Sequence, residues 1–189
     1  MGKIFYNKDV RNYGSGNAGA TNTFRVLGTQ AGIIVLFLDI VKGSIAVSLA
    51  YYLGHLSFQS IDFIYYELGL GITAVLGHIF PLYLGFKGGK GVATFLGAGI
   101  SVFPIAALVC VATFLLVFLA TRYVSLGSIL ASIVFPVMLL FYNHVWQWPI
   151  ILFAVAVPSV IFYTHRKNIQ RLIKGEERKI VFFKKKLKL

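Results

Sequence analysis

Acidic residues are scarce in this sequence: six Asp and Glu stand against eighteen Lys and Arg in 189 residues, a net charge of +12. Charge of either sign is also scarce, at 13% of the chain, while hydrophobic residues make up 58%. That balance excludes a soluble domain of ordinary composition, and a mean hydropathy of +0.80 points to lipid. A single cysteine, Cys110, excludes an internal disulfide and a Cys-based metal site, and its place in an apolar run reads as packing. The first thirty residues are polar, basic and glycine-rich, so no cleavable signal peptide is expected. No repeat of fixed period and no soluble domain is visible. Nucleic acid, the usual partner of a strongly basic chain, is not expected either, because the basic residues alternate with runs long enough to span a bilayer.

Those runs occupy 31–53, 65–86, 92–120, 124–141 and 149–163. A span needs about 20 residues, so the third is too long for one simple crossing. Pro104 interrupts it, and proline forbids a continuous helical hydrogen-bond ladder. The basic residues argue the same way. They fall before the first run (Lys3, Lys8, Arg11, Arg25), in the loop at Lys87 and Lys90, at Arg122, and after Tyr163; only Lys42 lies inside a run. Loops 55–64 and 143–148 carry no Lys or Arg and are flanked by Tyr51, Tyr52, Tyr65, Tyr66, Trp146 and Trp148, residues of the interface. With the basic segments on the cytosolic side, 92–120 must cross twice. The expected architecture is all-α and polytopic: about six transmembrane helices, both termini inside, and functional loops on the cytosolic face. One membrane domain over 1–179 is followed by a basic tail, 180–189, suited to anionic lipid.

Three basic segments carry residues suited to chemistry. The first, Arg11 to Asn22 followed by Arg25, is rich in glycine and neutral donors: Gly14, Ser15, Gly16, Asn17, Thr21 and Asn22. It holds a formal G-x-G-x-x-G, but no strand precedes it, so a nucleotide fold is not expected. Backbone N–H groups turned toward an anion, with Arg25 as a bidentate phosphate ligand, remain the physical reading. The second runs from His78 to Thr94 through Lys87, Gly88, Gly89, Lys90 and Gly91. It is not a Walker A loop, because Gly91 stands where Ser or Thr is required, yet two lysines at a helix N-terminus still make an anion site. The third begins at His165; on a helix, His165, Asn168 and Leu172 share a face. Asp39 and Lys42, three residues apart in the first run, are an intramembrane ion-pair candidate.

These segments occur in order as R-N-Y-G-S-G-N-A-G-A-T-N-T-F-R, L-D-I-V-K-G, G-H-I-F-P-L-Y-L-G-F-K-G-G-K-G-V-A-T, R-Y-V-S-L and H-R-K-N-I-Q-R-L. The chain, apart from its basic tail, resembles the bacterial acyl-phosphate:glycerol-3-phosphate acyltransferase family (PlsY). The resemblance implies transfer of a fatty acyl group from acyl phosphate to the 1-hydroxyl of glycerol 3-phosphate, giving lysophosphatidic acid and phosphate, at the bacterial inner membrane and without a cofactor or metal. The family pattern places a further membrane helix before the first motif, seven in all, and this sequence shows only six. Neither an H-x-x-x-x-D acyltransferase motif nor a G-x-S-x-G elbow is present, since Tyr83 and Gln170 stand five residues after His78 and His165. An acyl phosphate is already activated, so positioning and charge neutralisation can suffice. The expected catalytic group is Ser15, Arg25 and Lys90 on the phosphates, with His165 and Asn168 orienting the hydroxyl. Substrate contacts are expected from Gly14, Gly16, Asn17, Thr21, Asn22, His78, Lys87, Gly88, Gly89, Gly91 and Glu177. His165 or a substrate phosphate oxygen could take the hydroxyl proton. The main competing class is a multi-span organic-anion transporter, which would carry its polar groups near the bilayer midplane.

Overall fold

The computed structural model describes residues 1–53, 61–142 and 146–180. Residues 54–60 and 143–145 of the two loops expected outside, and 181–189 of the expected tail, lie outside the described residues. All regular structure among the described residues is helical: α1 (Gly2–Tyr6), α2 (Ala20–Leu27), α3 (Thr29–Ser48), α4 (Ile61–Ile79), α5 (Val92–Val102), α6 (Pro104–Thr121), α7 (Val124–Val137) and α8 (Trp148–Ile173).

The long third apolar run is divided where proline predicts. Val102 ends α5, Phe103 leaves the helical region at φ −132° and ψ 68°, and Pro104 opens α6, where its missing N–H costs nothing. The six apolar helices are not equal, however. Thr29–Tyr52, Phe63–Leu84, Pro104–Thr121, Val124–Tyr142 and Trp148–Ile173 are each long and apolar enough to cross a membrane. Helix α5 has 11 residues, about 17 Å at 1.5 Å per residue, roughly half the hydrocarbon thickness. Six expected spans are therefore five of full length and one short helix.

Packing follows side-chain size. Helices α3 and α5 meet almost backbone to backbone: a Cβ on Gly97 would strike the Ile40 carbonyl, and one on Gly43 the Thr94 carbonyl. Ser44 Oγ donates to the Gly97 carbonyl at 2.9 Å across that seam. A second cluster joins α4, α7 and α8 around Leu68, Phe135, Leu139, Ile150 and Phe153, with Phe103 and Phe153 edge-on to Phe135 at 6.3 and 6.0 Å. The outward side of α6 is apolar, with Leu108, Leu116 and Leu119 exposed by 68%, 71% and 67%. Hydrocarbon, not water, suits such a face. The chain is a multi-pass helical membrane protein, and the three basic segments meet at one end of the bundle.

Candidate active site

The first segment is shaped by one buried side chain. Asn22, in the first turn of α2, turns its Nδ2 toward the carbonyls of Val10, Asn17 and Tyr13 at 2.8, 2.9 and 3.1 Å. Its Oδ1 accepts from the Ser15 N–H at 2.8 Å. A loop wrapped this tightly needs left-handed turns at Gly14 and Gly16, with φ of +63° and +72°, and leaves Ser15 exposed between them. Asn17 Oδ1 accepts from the Gly19 N–H at 2.8 Å, and its Nδ2 reaches the Gly88 carbonyl at 3.4 Å. Arg11 adds a second tie, donating from Nη1 to the Leu84 carbonyl at 2.8 Å while its guanidinium holds the Asp9 carboxyl well below the usual range.

The second segment rests on a polar support beneath it. Gly88 and Gly89 donate their N–H groups to the carbonyls of Ile79 and His78, each at 3.1 Å. The His78 ring lies directly under Gly89: a Cβ there would collide with Nε2 and sit 2.7 and 2.9 Å from Cε1 and Cδ2. His78 is itself fixed by α3. Lys42 Nζ donates to Asp39 Oδ1 at 2.7 Å and to His78 Nδ1 at 3.1 Å, with Asp39 Oδ1 3.4 Å from the same nitrogen. The ion pair anticipated from sequence forms, and it contacts the His78 ring under the glycine loop.

The third segment supplies a chain of hydrogen bonds. His165 and Asn168 lie one turn apart on the buried face of α8, 2% and 8% exposed. The ring of His165 bonds through Nδ1 to the Ile161 carbonyl at 2.9 Å, which makes Nδ1 the donor and leaves Nε2 to accept. Asn168 Oδ1 accepts from Lys90 Nζ at 2.5 Å, and Asn168 Nδ2 donates to Glu177 Oε1 at 2.6 Å. Glu177 takes two further bonds, from Ser125 Oγ to Oε1 and from Arg171 Nε to Oε2, both 2.8 Å. Burial raises the Glu177 pKa, but the donors Arg171, Asn168 and Ser125 outweigh it, and the net shift is downward. Lys90 moves the other way. Its burial, with Arg171 and Arg25 nearby, brings the ammonium down to about 8 despite the support of Glu177. Burial likewise lowers Arg25, whose Nη2 donates to the Arg178 carbonyl at 3.4 Å.

Three cations, Arg25, Lys90 and Arg171, therefore surround one carboxylate, an excess of positive charge that a phosphate dianion would balance. Asn17, Gly88, Lys90, Asn168 and Glu177 are linked directly, and Arg25 joins through the residues after Glu177. Gly91 starts α5 at φ +83°, and Thr21 is half-buried in the first turn of α2. Lys87 is exposed, and among the described residues it makes no hydrogen bond or ion pair. Asn22, expected to face a substrate, spends its amide on its own loop. Ser125 and Arg171 had no assigned role in the sequence; the signals were the R-Y-V-S-L run and the helical spacing of Arg171 from Asn168.

A small apolar cleft of about 50 Å³ opens between α4, α5 and α8, lined by Ile72, Leu76, Phe95, Phe153, Val157 and Val160 among others. Val160 precedes His165 by five residues, about 8 Å along the helix.

A family model described as glycerol-3-phosphate acyltransferase matches residues 1–175. The glycerol-3-phosphate acyltransferase of Staphylococcus saprophyticus is 44% identical over 181 residues, covering 95% of this chain and 88% of the relative. That of Chlorobaculum parvum is 40% identical over 205 residues, covering 96% and 88%. Among solved structures, the integral membrane acyltransferase PlsY in its glycerol 3-phosphate form aligns with TM-score 0.82 at 39% identity, over 95% of this chain and 88% of that one. Its lysophosphatidic acid form aligns with TM-score 0.76 at 40% identity, over 88% and 81%. These relatives give the transporter reading no support. The chain belongs to the glycerol-3-phosphate acyltransferase family.

Proposed function

We propose that this protein transfers a fatty acyl group from acyl phosphate to the 1-hydroxyl of glycerol 3-phosphate at the inner face of the bacterial plasma membrane, releasing lysophosphatidic acid and phosphate. One observation supports this above the others: Arg25, Lys90 and the Asn168–Glu177 pair gather at one end of an apolar bundle, and α8, which carries Asn168, also lines an apolar cleft. Both substrates carry phosphate, and one carries a fatty chain, so cations at a membrane rim and an apolar groove beneath them are what the reaction requires. The positive-inside rule supports this side, since Arg25, Lys87, Lys90, Arg122, Arg166 and Lys167 all lie in the basic segments.

The chemistry asks little covalent work of the protein. The hydroxyl oxygen attacks the acyl carbonyl carbon, the carbon–oxygen bond to phosphate breaks, and the leaving phosphate takes the electron pair. Arg25, Lys90 and the exposed Ser15 hydroxyl balance the charge that develops on the phosphates and the carbonyl oxygen. His165, with Nδ1 held by Ile161, offers Nε2 to orient the attacking hydroxyl, whose proton passes to that nitrogen or to a substrate phosphate oxygen.

Purified protein given acyl phosphate and glycerol 3-phosphate is expected to release phosphate, and acyl-CoA in place of acyl phosphate is not expected to serve. Phosphate release with neither donor would sink the enzyme reading. A His165→Ala variant that kept its kcat and raised only KM would remove His165 as base and leave a substrate phosphate oxygen as the acceptor.

A further inference from the structure

Residues 174–180 turn back after α8 and run across the corner between α6 and α7. Gly175 makes the reversal at φ +70°, and the Glu176 N–H bonds to the Arg171 carbonyl at 2.8 Å. The Ile180 N–H then reaches the Arg122 carbonyl at 3.1 Å, and the Lys179 ammonium sits 5.3 Å from the centre of the Tyr123 ring. This strap is what carries Glu177 into the site. Its docking point is the first turn of α7, where Ser125, 3% exposed, donates its hydroxyl to Glu177 Oε1.

A carboxamide can present either end, and here the choice matters. Lys90 can only donate, so it must find the Asn168 oxygen; an amide turned round would face an ammonium with NH2. Glu177 decides the orientation, because a carboxylate can only accept and so draws Nδ2 to itself. Oε1 receives both Asn168 and Ser125, and Oε2 receives Arg171. Ser125 therefore fixes the oxygen on which Asn168 depends, while Arg171 fixes the other.

We propose that Ser125 is a positioning residue of the acyl transfer: by holding Glu177 Oε1 it orients the Asn168 carboxamide, whose oxygen sets the Lys90 ammonium for the substrate phosphate. The proposal rests on the acyltransferase reading above. Its electrical consequence is definite. The groups around Lys90 are Glu177 on the strap, His165, Asn168 and Arg171 on α8, and Arg25 on α2, and Glu177 supports the charged amine against the burial and the cations that oppose it. If Glu177 is released, the Lys90 ammonium loses its proton at lower pH.

The test compares the full-length protein with Ser125→Ala and Ser125→Thr in phosphate release across pH. Ser125→Ala is expected to lower kcat about tenfold with a smaller change in KM, and to move the alkaline fall in activity to lower pH; Ser125→Thr, which keeps the hydroxyl, restores both. A parallel measurement needs no turnover: the pH dependence of Lys90 acylation by an amine-directed reagent, read by mass spectrometry, should shift downward in Ser125→Ala. Unchanged kcat and an unchanged Lys90 titration in Ser125→Ala would overturn the proposal. So would equal damage in Ser125→Thr with a Lys90 titration like that of the parent. Should Ser125→Ala not be recovered folded, Ser125→Cys, a weaker donor of similar size, must show the same downward shift, and parent-like behaviour overturns the proposal. A parent that releases no phosphate refutes the enzyme reading, while the Lys90 titration still decides the role of Ser125.

Discussion

Replacing Gly89 with alanine tests the geometry of the glycine loop most directly. The added methyl would overlap His78 Nε2 and lie 2.7 and 2.9 Å from its Cε1 and Cδ2, inside the 3.4 Å at which ordinary contact begins. The ring cannot yield cheaply, because its side chain is 9% exposed and its Nδ1 accepts from Lys42. Nor can the loop simply lift, since the Gly88 and Gly89 N–H groups are bonded to the end of α4. A displacement of about 1 Å at a site that positions reacting groups costs on the order of 100-fold in rate, or about 2.7 kcal/mol of transition-state stabilisation. Gly89→Ala is accordingly expected to lose about 100-fold in kcat/KM for glycerol 3-phosphate, assayed as phosphate release by the purified protein. Gly77→Ala, one residue before His78 with nothing within 4 Å of the new methyl, is the control and should stay within about threefold. The collision makes a further demand: in the His78→Ala background, Gly89→Ala should add little, because the atoms it strikes are gone. A Gly89→Ala protein within twofold of the parent, or a double variant losing the full product of both effects, would refute the reasoning.

Asn22→Ala removes four of the side-chain bonds that fold the first loop, and a drop of about 2 kcal/mol in stability, read as a lower Tm together with loss of activity, is expected. Gly97→Ala drives a methyl into the Ile40 carbonyl where α3 meets α5, and should lower Tm further than Gly69→Ala, whose methyl meets nothing within 4 Å. Activity should fall as pH rises through about 8, because Lys90 is charged below that value and neutral above it; a Lys90→Arg variant that retained activity would show no such limb there. The Glu177 carboxyl, lowered in the folded protein, contributes stability above its unfolded pKa and loses it as pH falls through the folded one, so Glu177→Gln should flatten the acid side of a Tm profile.

What the sequence disclosed depended on range. The helices were legible because lipid demands long apolar runs, and the break before Pro104 because proline removes a donor. The modest length of α5 was legible too, since its apolar run starts at Val92 and Pro104 ends it. Lys90 and Asn168 stood out as polar residues beside membrane spans and Glu177 through the family resemblance, but their mutual bonds join positions 78 and 9 residues apart, and no local spacing encodes the first. Ser125 was invisible for a simpler reason: a serine in the first turn of an apolar helix is unremarkable until a strap from the far end of the chain brings a carboxylate to it.

The same architecture explains why so many of the polar residues do not face a substrate. Asn22, Asp39, His78 and Ser125 each serve a neighbouring loop, and each sits where a flexible segment must hold its shape at the edge of hydrocarbon. Water would otherwise compete for those loops, and lipid would offer their backbone nothing. A bundle whose helices meet through glycine rather than through a large core has little other means of fixing a site. The three basic segments are therefore bonded to one another, Arg11 to Leu84, Asn17 to Gly88, Lys90 to Asn168 and Arg25 to Arg178, and that cross-bonding is what gathers scattered positive charge into the phosphate site proposed above.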